Sequence, residues 1–267
     1  MVVHDLSECL GKMGHEVYVL CPDGSQGGEH YKVITPVPAS YSNPEQLAYE
    51  AARPSLFDYD IIHSHGWGGY PYLALREHPG RLKVLQTLHG PLQFGSKPVD
   101  KPNFVAASHA HARFLHRQVG FDCRVVYHGI DLERHRPGGE KGDYLLFLAR
   151  VAPEKGALEF VELCREVGIR GLLVGDDMFP PDQDYVRRTM RACEDTGGLV
   201  RYVGPAGQAW KVELLQEARC LVTPVQPPYI EIFGLSTIEG MACGTPILST
   251  DRGAAKEFSL EGETGAV

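Results

Sequence analysis

The stretch Tyr144–Val174, YLLFLARVAPEKGALEFVELCREVGIRGLLV, decides the fold of this chain. It opens on an uninterrupted apolar run, Tyr144 to Leu148, turns through a loop containing Arg150 and Lys155, continues as a helix from Ala157 to Val167 and closes on a second apolar run, Gly171 to Val174. Apolar runs without polar alternation mark strands buried on both faces, and strand–helix–strand repeats build parallel sheets with helices on either side. The same rhythm extends in both directions. Toward the C-terminus the spacing predicts strands at Val200–Val203, Cys220–Thr223 and Pro246–Leu248, with helices at Asp184–Asp195, Trp210–Ala218 and Leu235–Cys243. Toward the N-terminus it predicts a helix at Val3–Lys12, strands at Glu16–Leu20, Lys32–Ile34, Asp60–Ser64, Lys83–Thr87, Asn103–Ala107 and Arg124–Tyr127, and helices at Pro44–Ala52, Tyr70–Glu77 and His109–Arg117.

Composition narrows the class. The chain has 267 residues, 43% of them hydrophobic and 22% charged, a balance that suits one large or two small globular domains. No apolar run approaches the roughly 18 residues of a membrane span, and Met1 is followed by a charged segment rather than by the basic-then-apolar pattern of a secretory signal. The 7 cysteines are scattered singly with no CxxC, which points to reduced thiols and a cytoplasmic setting. A net charge of −8 without basic runs argues against nucleic acid as a partner. All 12 histidines lie at or before His135, while most of the negative charge falls in the second half, so the halves differ in chemistry. The turn- and charge-rich segment Leu132–Asp143 reads as a linker and divides the chain into residues 1–137 and 138–267.

Both ends read as cut. A doubly wound sheet opens on a strand that becomes central in the order 3-2-1-4-5-6, whereas this chain begins within a helix and ends on Glu263–Val267, the start of a strand. The expectation is that Val17–Leu20 and Ile61–Ser64 are left without a shared neighbour, with the first strand and the closing C-terminal helices missing.

Two segments carry the chemistry. In EIFGLSTIEGMACGTPI, Glu231–Ile247, a helix begins near Gly234, and its first-turn N–H groups and partial positive charge suit a phosphate. Glu231 and Glu239 flank that tip as acceptors for hydroxyl groups. The other segment, RVAPEKG, places Arg150 and Lys155 after a strand, at the sheet end where ligands of open α/β folds bind. His89 in Thr87-Leu88-His89-Gly90 falls at a similar strand end, while His63 and His65 share a strand face, and Trp67 and Tyr70 follow them in a Gly-rich loop. The two histidines alone lack the companion ligands of a metal site.

LARVAPEKG and the Glu-x7-Glu arrangement of Glu231 and Glu239 resemble the signature of family 4 retaining glycosyltransferases of the GT-B fold. YDIIHSHG, TLHGP, AASHAHARFL, YHGID and GETGAV follow in the order that family uses, with Ala149 where the family often has glycine and His128 in a YNG-like turn. The resemblance implies two Rossmann-like doubly wound domains facing a cleft. Residues 1–137 would form the acceptor side and 138–267 the nucleotide-sugar donor side. It implies transfer of a sugar from a UDP- or GDP-sugar to a hydroxyl of a sugar, lipid-linked or small-molecule acceptor, without a metal or other cofactor, and is compatible with peripheral membrane contact. By resemblance, Arg150 and Lys155 hold the donor diphosphate, Phe233, Gly234 and Leu235 cap it, and Glu231 contacts the donor sugar. Glu239 would bind the ribose, Tyr202 and Val203 would lie near the base, and His89 would contact the donor sugar or polarise the reacting region.

Other readings of the same residues are a folded but inactive sugar-nucleotide-binding fragment and a nucleotide-sugar epimerase of the same fold. A glycosidase built on Glu231 and Glu239 fares poorly, because eight residues of helix separate them by about 12 Å against about 5–9.5 Å in hydrolases. A nicotinamide-dependent dehydrogenase lacks its G-x-G-x-x-G after a strand.

Overall fold

The computed structural model describes residues 2–21, 24–34, 44–66, 70–78, 80, 83–90, 103–120, 122–177 and 182–267. Trp67, read above as a groove residue, lies outside them. Two compact units divide the chain, Met1–Gly129 and Ile130–Val267. The boundary precedes the charge-rich segment because that segment folds onto the second unit. His135 is 2% exposed there, and the Gly142 N–H donates to Glu217 O at 2.6 Å.

In the first unit α1 (Val2–Lys12) leads into β1 (Tyr18–Leu20) and β2 (Lys32–Ile34), and α2 (Pro44–Ala52), β3 (Ile62–Ser64), α3 (Pro71–Glu77), β4 (Val84–Thr87), β5 (Phe104–Ala106), α4 (His109–Val119) and β6 (Arg124–Val125) follow. All pairings among these strands are parallel. As the sequence predicts, β1 and β3 share no neighbour among the described residues: β1–β2 form one sheet and β3–β4–β5–β6 another. Val84, Phe104 and Ala106 pack against Tyr49, Tyr72 and Leu115 of the three nearby helices. Ser108 starts α4 by accepting from the His111 N–H at 3.0 Å, and Gly120 ends it with φ +75°.

The second unit is the doubly wound sheet expected from Tyr144–Val174. Its elements are β7 (Tyr144–Leu148), α5 (Ala157–Val167), β8 (Arg170–Val174), α6 (Gln183–Glu194), β9 (Val200–Tyr202), α7 (Gln208–Glu217), β10 (Cys220–Thr223), α8 (Leu235–Ala242), β11 (Ile247–Ser249), α9 (Ala255–Phe258) and β12 (Gly265–Ala266). The order β12-β11-β10-β7-β8-β9, all parallel, places the first strand at the centre with a switch point beside it. Alternation along β7 separates two cores. Leu145 and Phe147 face Phe160 and Val161 of α5 and Tyr185 and Val186 of α6, while Tyr144 and Leu146 face Leu214 and Leu215 of α7. Short α9 escaped the sequence reading because four residues carry too little periodicity to register. Among the described residues no helix is long and apolar enough to cross a membrane.

Candidate donor site in the second unit

The C-terminal ends of β7, β10 and β11 meet above the switch point, and backbone hydrogen bonds tie the loop after β7 to those after β8 and β10. The Val151 N–H donates to Asp176 O, and the Gln226 N–H donates to Glu154 O, each at 3.0 Å. Gly156, with φ +74°, comes so close to the loop after β10 that a Cβ there would lie 2.0 Å from Pro224 O. Glu231 is fixed through its main chain: its N–H donates to Arg252 O at 2.7 Å, and its carbonyl accepts from the Ala254 N–H at 2.9 Å. Gly253 between them adopts φ +112°, where a Cβ would fall 2.2 Å from Glu231 O.

Gly234, at φ +80°, turns the chain into α8. The first intrahelical bond runs from the Thr237 N–H to Gly234 O at 3.0 Å, so the N–H groups of Leu235 and Ser236 precede it at the helix tip. Such a tip attracts anions through its amides and the helix dipole.

A cavity of about 210 Å³ opens here, and its walls include Arg150, Lys155, Glu231, Phe233, Gly234 and Leu235. The six residues expected around a diphosphate and donor sugar therefore come together, and Ser236 and Thr237 add hydroxyls that the sequence reading did not single out. Lys155 Nζ lies 2.5 Å from Glu231 Oε2 and 3.3 Å from the Tyr229 hydroxyl, and 4.6 Å from the centre of the Tyr229 ring. Burial alone would lower the lysine pKa, but the Glu231 charge, Tyr229 and the hydrogen bonds to both override it and hold the ammonium above its ordinary value. The ammonium has three N–H donors, so these two contacts leave one for a ligand. Arg150 is more open, its side chain 46% exposed, and its Nη2 donates to Glu154 Oε1 at 2.9 Å. Sequence reasoning missed Tyr229. Its position two residues before Glu231 is the only signal it carries.

The remaining expected residues lie elsewhere. Tyr202 ends β9 and donates its hydroxyl to Gly175 O at 3.0 Å; burial first, then the nearby Asp177 and Asp176, push its pKa up to about 12. Val203 packs against the core on the α7 side of the sheet. Neither Tyr202, Val203 nor Glu239 is among the cavity walls. Glu239 is 2% exposed and accepts from Lys211 Nζ at 2.7 Å.

His89 belongs to the first unit, where it joins a row of imidazoles at the strand ends. His65 Nδ1 lies 2.9 Å from His89 Nε2, so one nitrogen donates and the other accepts. The His65 ring lies tilted against His63 at 4.3 Å and stacks at 5.2 Å on His89, and His89 stacks at 5.2 Å on His128. His63 Nε2 hydrogen-bonds the Thr87 hydroxyl at 2.8 Å. Among the described residues no three His, Cys, Asp or Glu side chains converge on a metal position.

Burial lowers the pKa of His63 and His89, and burial together with the neighbouring imidazoles takes His65 to about 3 and His128 to about 4, against 6.5 for an ordinary histidine. Because these folded-state values are depressed, the unfolded chain binds more protons between the two limits. The stabilisation is full above pH 6.5 and drains away as pH falls toward the folded values of about 4 and about 3. Thermal unfolding of the chain should therefore lose midpoint temperature steadily below pH 6.5, and His65→Phe should flatten that slope. An unchanged slope in the variant would contradict this account.

The model of Glycosyltransferase Family 4 matches residues 1–134, and that of Glycosyl transferases group 1 matches residues 142–267. A D-inositol 3-phosphate glycosyltransferase of Frankia alni is 27% identical over 257 residues, covering 78% of this chain, and the chain spans 61% of that relative's length. Sucrose-phosphate synthase from Thermosynechococcus elongatus superposes with a TM-score of 0.78 at 23% identity, over 99% of this chain and 78% of the other. HepE of Anabaena, solved in complex with UDP and glucose, superposes with a TM-score of 0.76 at 18% identity, over 98% and 80% of the two chains. These likenesses give the fold as GT-B, and with a family match over each half the chain belongs to the group 1, family 4 glycosyltransferases.

Proposed function

We propose that the chain carries the donor side of a retaining transferase that moves a sugar from a UDP- or GDP-sugar to an acceptor hydroxyl. The observation that carries this reading is the convergence of Lys155, Arg150, Glu231 and the tip of α8 on one cavity. Breaking the glycosidic bond loads negative charge onto the leaving diphosphate while the sugar turns oxocarbenium-like. A desolvated ammonium and fixed N–H dipoles need no reorganisation to meet that charge. Lys155 would offer its third N–H to the diphosphate while Glu231, positioned by its backbone bonds to the loop at Gly253, accepts from hydroxyls of the sugar. Arg150, reaching in from the rim, would add a second cation able to bind phosphate oxygens in bidentate fashion. In this reading Glu239 serves the ribose, Tyr202 and Val203 border the base, and His89 contacts the donor sugar. HepE, crystallised with UDP and glucose, supports the donor class by likeness of fold. Among the described residues the cavity holds no carboxylate besides Glu231, which is paired with Lys155, and the family resemblance favours front-face attack assisted by the leaving phosphate, with these side chains and amides supplying the charge that a metal would otherwise bring.

A glycosidase has less support, since Glu231 and Glu239 are each ion-paired to a separate lysine. A thermal-shift panel of UDP-, GDP- and ADP-sugars tests the donor assignment. A matching donor at about 100 times its dissociation constant should stabilise the chain by ~2.7 kcal/mol, and a flat panel would contradict the assignment. Transfer assays beside it separate an active enzyme from a chain that only binds, and conversion of the donor without any acceptor would identify an epimerase.

A further inference from the structure

The loop after β10 reaches Lys155 by main-chain bonds that owe nothing to the side chain of Tyr229. The Gln226 N–H donates to the carbonyl of Glu154, the neighbour of the lysine, at 3.0 Å, and the Tyr229 N–H donates to Gln226 O at 3.2 Å. What the side chain adds is contact with the ammonium. Lys155 Nζ lies 3.3 Å from the hydroxyl and 4.6 Å from the ring centre, so it sits over the hydroxyl end of a half-buried ring. Burial and then the Glu231 charge raise the pKa of the phenol, against the pull of Lys155 and Arg150, and it stays neutral near neutral pH. The two partners of the ammonium therefore differ in kind. Glu231 Oε2, at 2.5 Å, offsets the positive charge that a diphosphate would meet, whereas Tyr229 attracts the ammonium through a ring face and a hydroxyl oxygen and leaves its charge in place. Tyr229 is not among the cavity walls, and the wall residue it holds is Lys155.

We propose that Tyr229 is a positioning residue for diphosphate binding: it is the second, uncharged anchor of the Lys155 ammonium and fixes where the remaining N–H of that group points. The inference rests on the reading of Lys155 as the cation that meets the diphosphate, and it adds a residue outside both sequence segments that carry the chemistry. An ammonium on a four-carbon stem is mobile. Two anchors fix the position of Nζ and the direction of its third N–H; with the carboxylate alone, the stem is free to swing about Glu231, and a ligand has to draw the cation into place. An aliphatic side chain at 229 removes both contacts, and phenylalanine keeps the ring face while losing the hydroxyl oxygen.

The test titrates inorganic pyrophosphate, UDP and GDP into the full chain, into Lys155→Met, Tyr229→Phe and Tyr229→Leu, and into Tyr229→Leu combined with Lys155→Met. Tyr229→Leu should weaken pyrophosphate and the better-bound nucleoside diphosphate by about tenfold, the scale of a lost contact between a desolvated cation and an aromatic ring. Tyr229→Phe should recover part of that loss. In the Lys155→Met background, Tyr229→Leu should cost nothing further, because the group it positions is gone. A tyrosine that merely supports the loop would cost the same in both backgrounds, and that result would overturn the proposal. So would a Tyr229→Leu variant that binds pyrophosphate like the parent. Should Tyr229→Leu not fold, Tyr229→Met, longer and unbranched, is read in the same way. If Lys155→Met alone binds all three ligands like the parent, the diphosphate reading of Lys155 fails and the role of Tyr229 with it, a result visible before any change at 229 is made.

Discussion

Lys155→Ala is expected to lower the rate of sugar transfer about 100- to 1000-fold, equivalent to about 2.7–4 kcal/mol of transition-state stabilisation, the scale seen when one preorganised donor is removed. The expectation follows from where the ammonium sits. It is 13% exposed, locked between Glu231 and Tyr229, and beside the tip of α8. A cation held in place without bulk water acts more strongly on developing charge than a mobile surface one. Removing it also strips Glu231 of its partner, so part of the loss should return when Lys155→Ala is combined with Glu231→Gln, as double-mutant cycles detect for coupled neighbours. Arg150→Ala should cost less, because that side chain is 46% exposed and already engaged by Glu154. Steady-state rates for the parent, Lys155→Ala, Glu231→Gln, their combination and Arg150→Ala decide the matter, and a Lys155→Ala variant that turns over like the parent would refute the role.

The second large effect is structural. Gly156→Ala should destabilise the second unit well beyond the ~1–2 kcal/mol that a left-handed backbone costs a residue with a Cβ, because the added carbon would lie 2.0 Å from Pro224 O. Gly168→Ala is the control. Gly168 also has a positive φ, +66°, but a Cβ there meets nothing within 4 Å, so it isolates the conformational cost from the collision. Urea unfolding of both variants should show a clear excess loss for Gly156→Ala, along with a weakened response to donor, since the loop that carries Lys155 must move off the loop after β10. Equal losses in the two variants would mean that the loops yield without consequence.

How far these features were legible in the sequence depends on whether they are periodic. The second unit's strand order follows from apolar runs such as Tyr144–Leu148 alternating with helices, because burial on two faces leaves an unbroken pattern that local reading detects. The two-part sheet of the first unit followed from topology alone. Arg150, Lys155 and the Glu231–Leu235 turn stood out because strand ends and glycine-led helix starts have recognisable residue types. Pairings across long sequence separations leave no such trace. The contact of Lys155 with Glu231 spans 76 positions and that of Lys211 with Glu239 spans 28, and only packing brings them together. The histidine row is a similar case. His63 and His65 are visibly paired on one strand, but the hydrogen bond between His65 and His89 depends on the parallel register of β3 and β4. The Leu132–Asp143 segment reads as linker for the opposite reason: its composition is that of a turn, yet His135 anchors it beneath the second unit's surface.

The most direct measurement is a crystal structure of the chain with a bound nucleoside diphosphate. The account predicts diphosphate oxygens at hydrogen-bonding distance, about 3 Å, from Lys155 Nζ and from the amides of Leu235 and Ser236. A diphosphate seated away from the start of α8, with Lys155 still closed on Glu231 and Tyr229 and touching no phosphate, would contradict it.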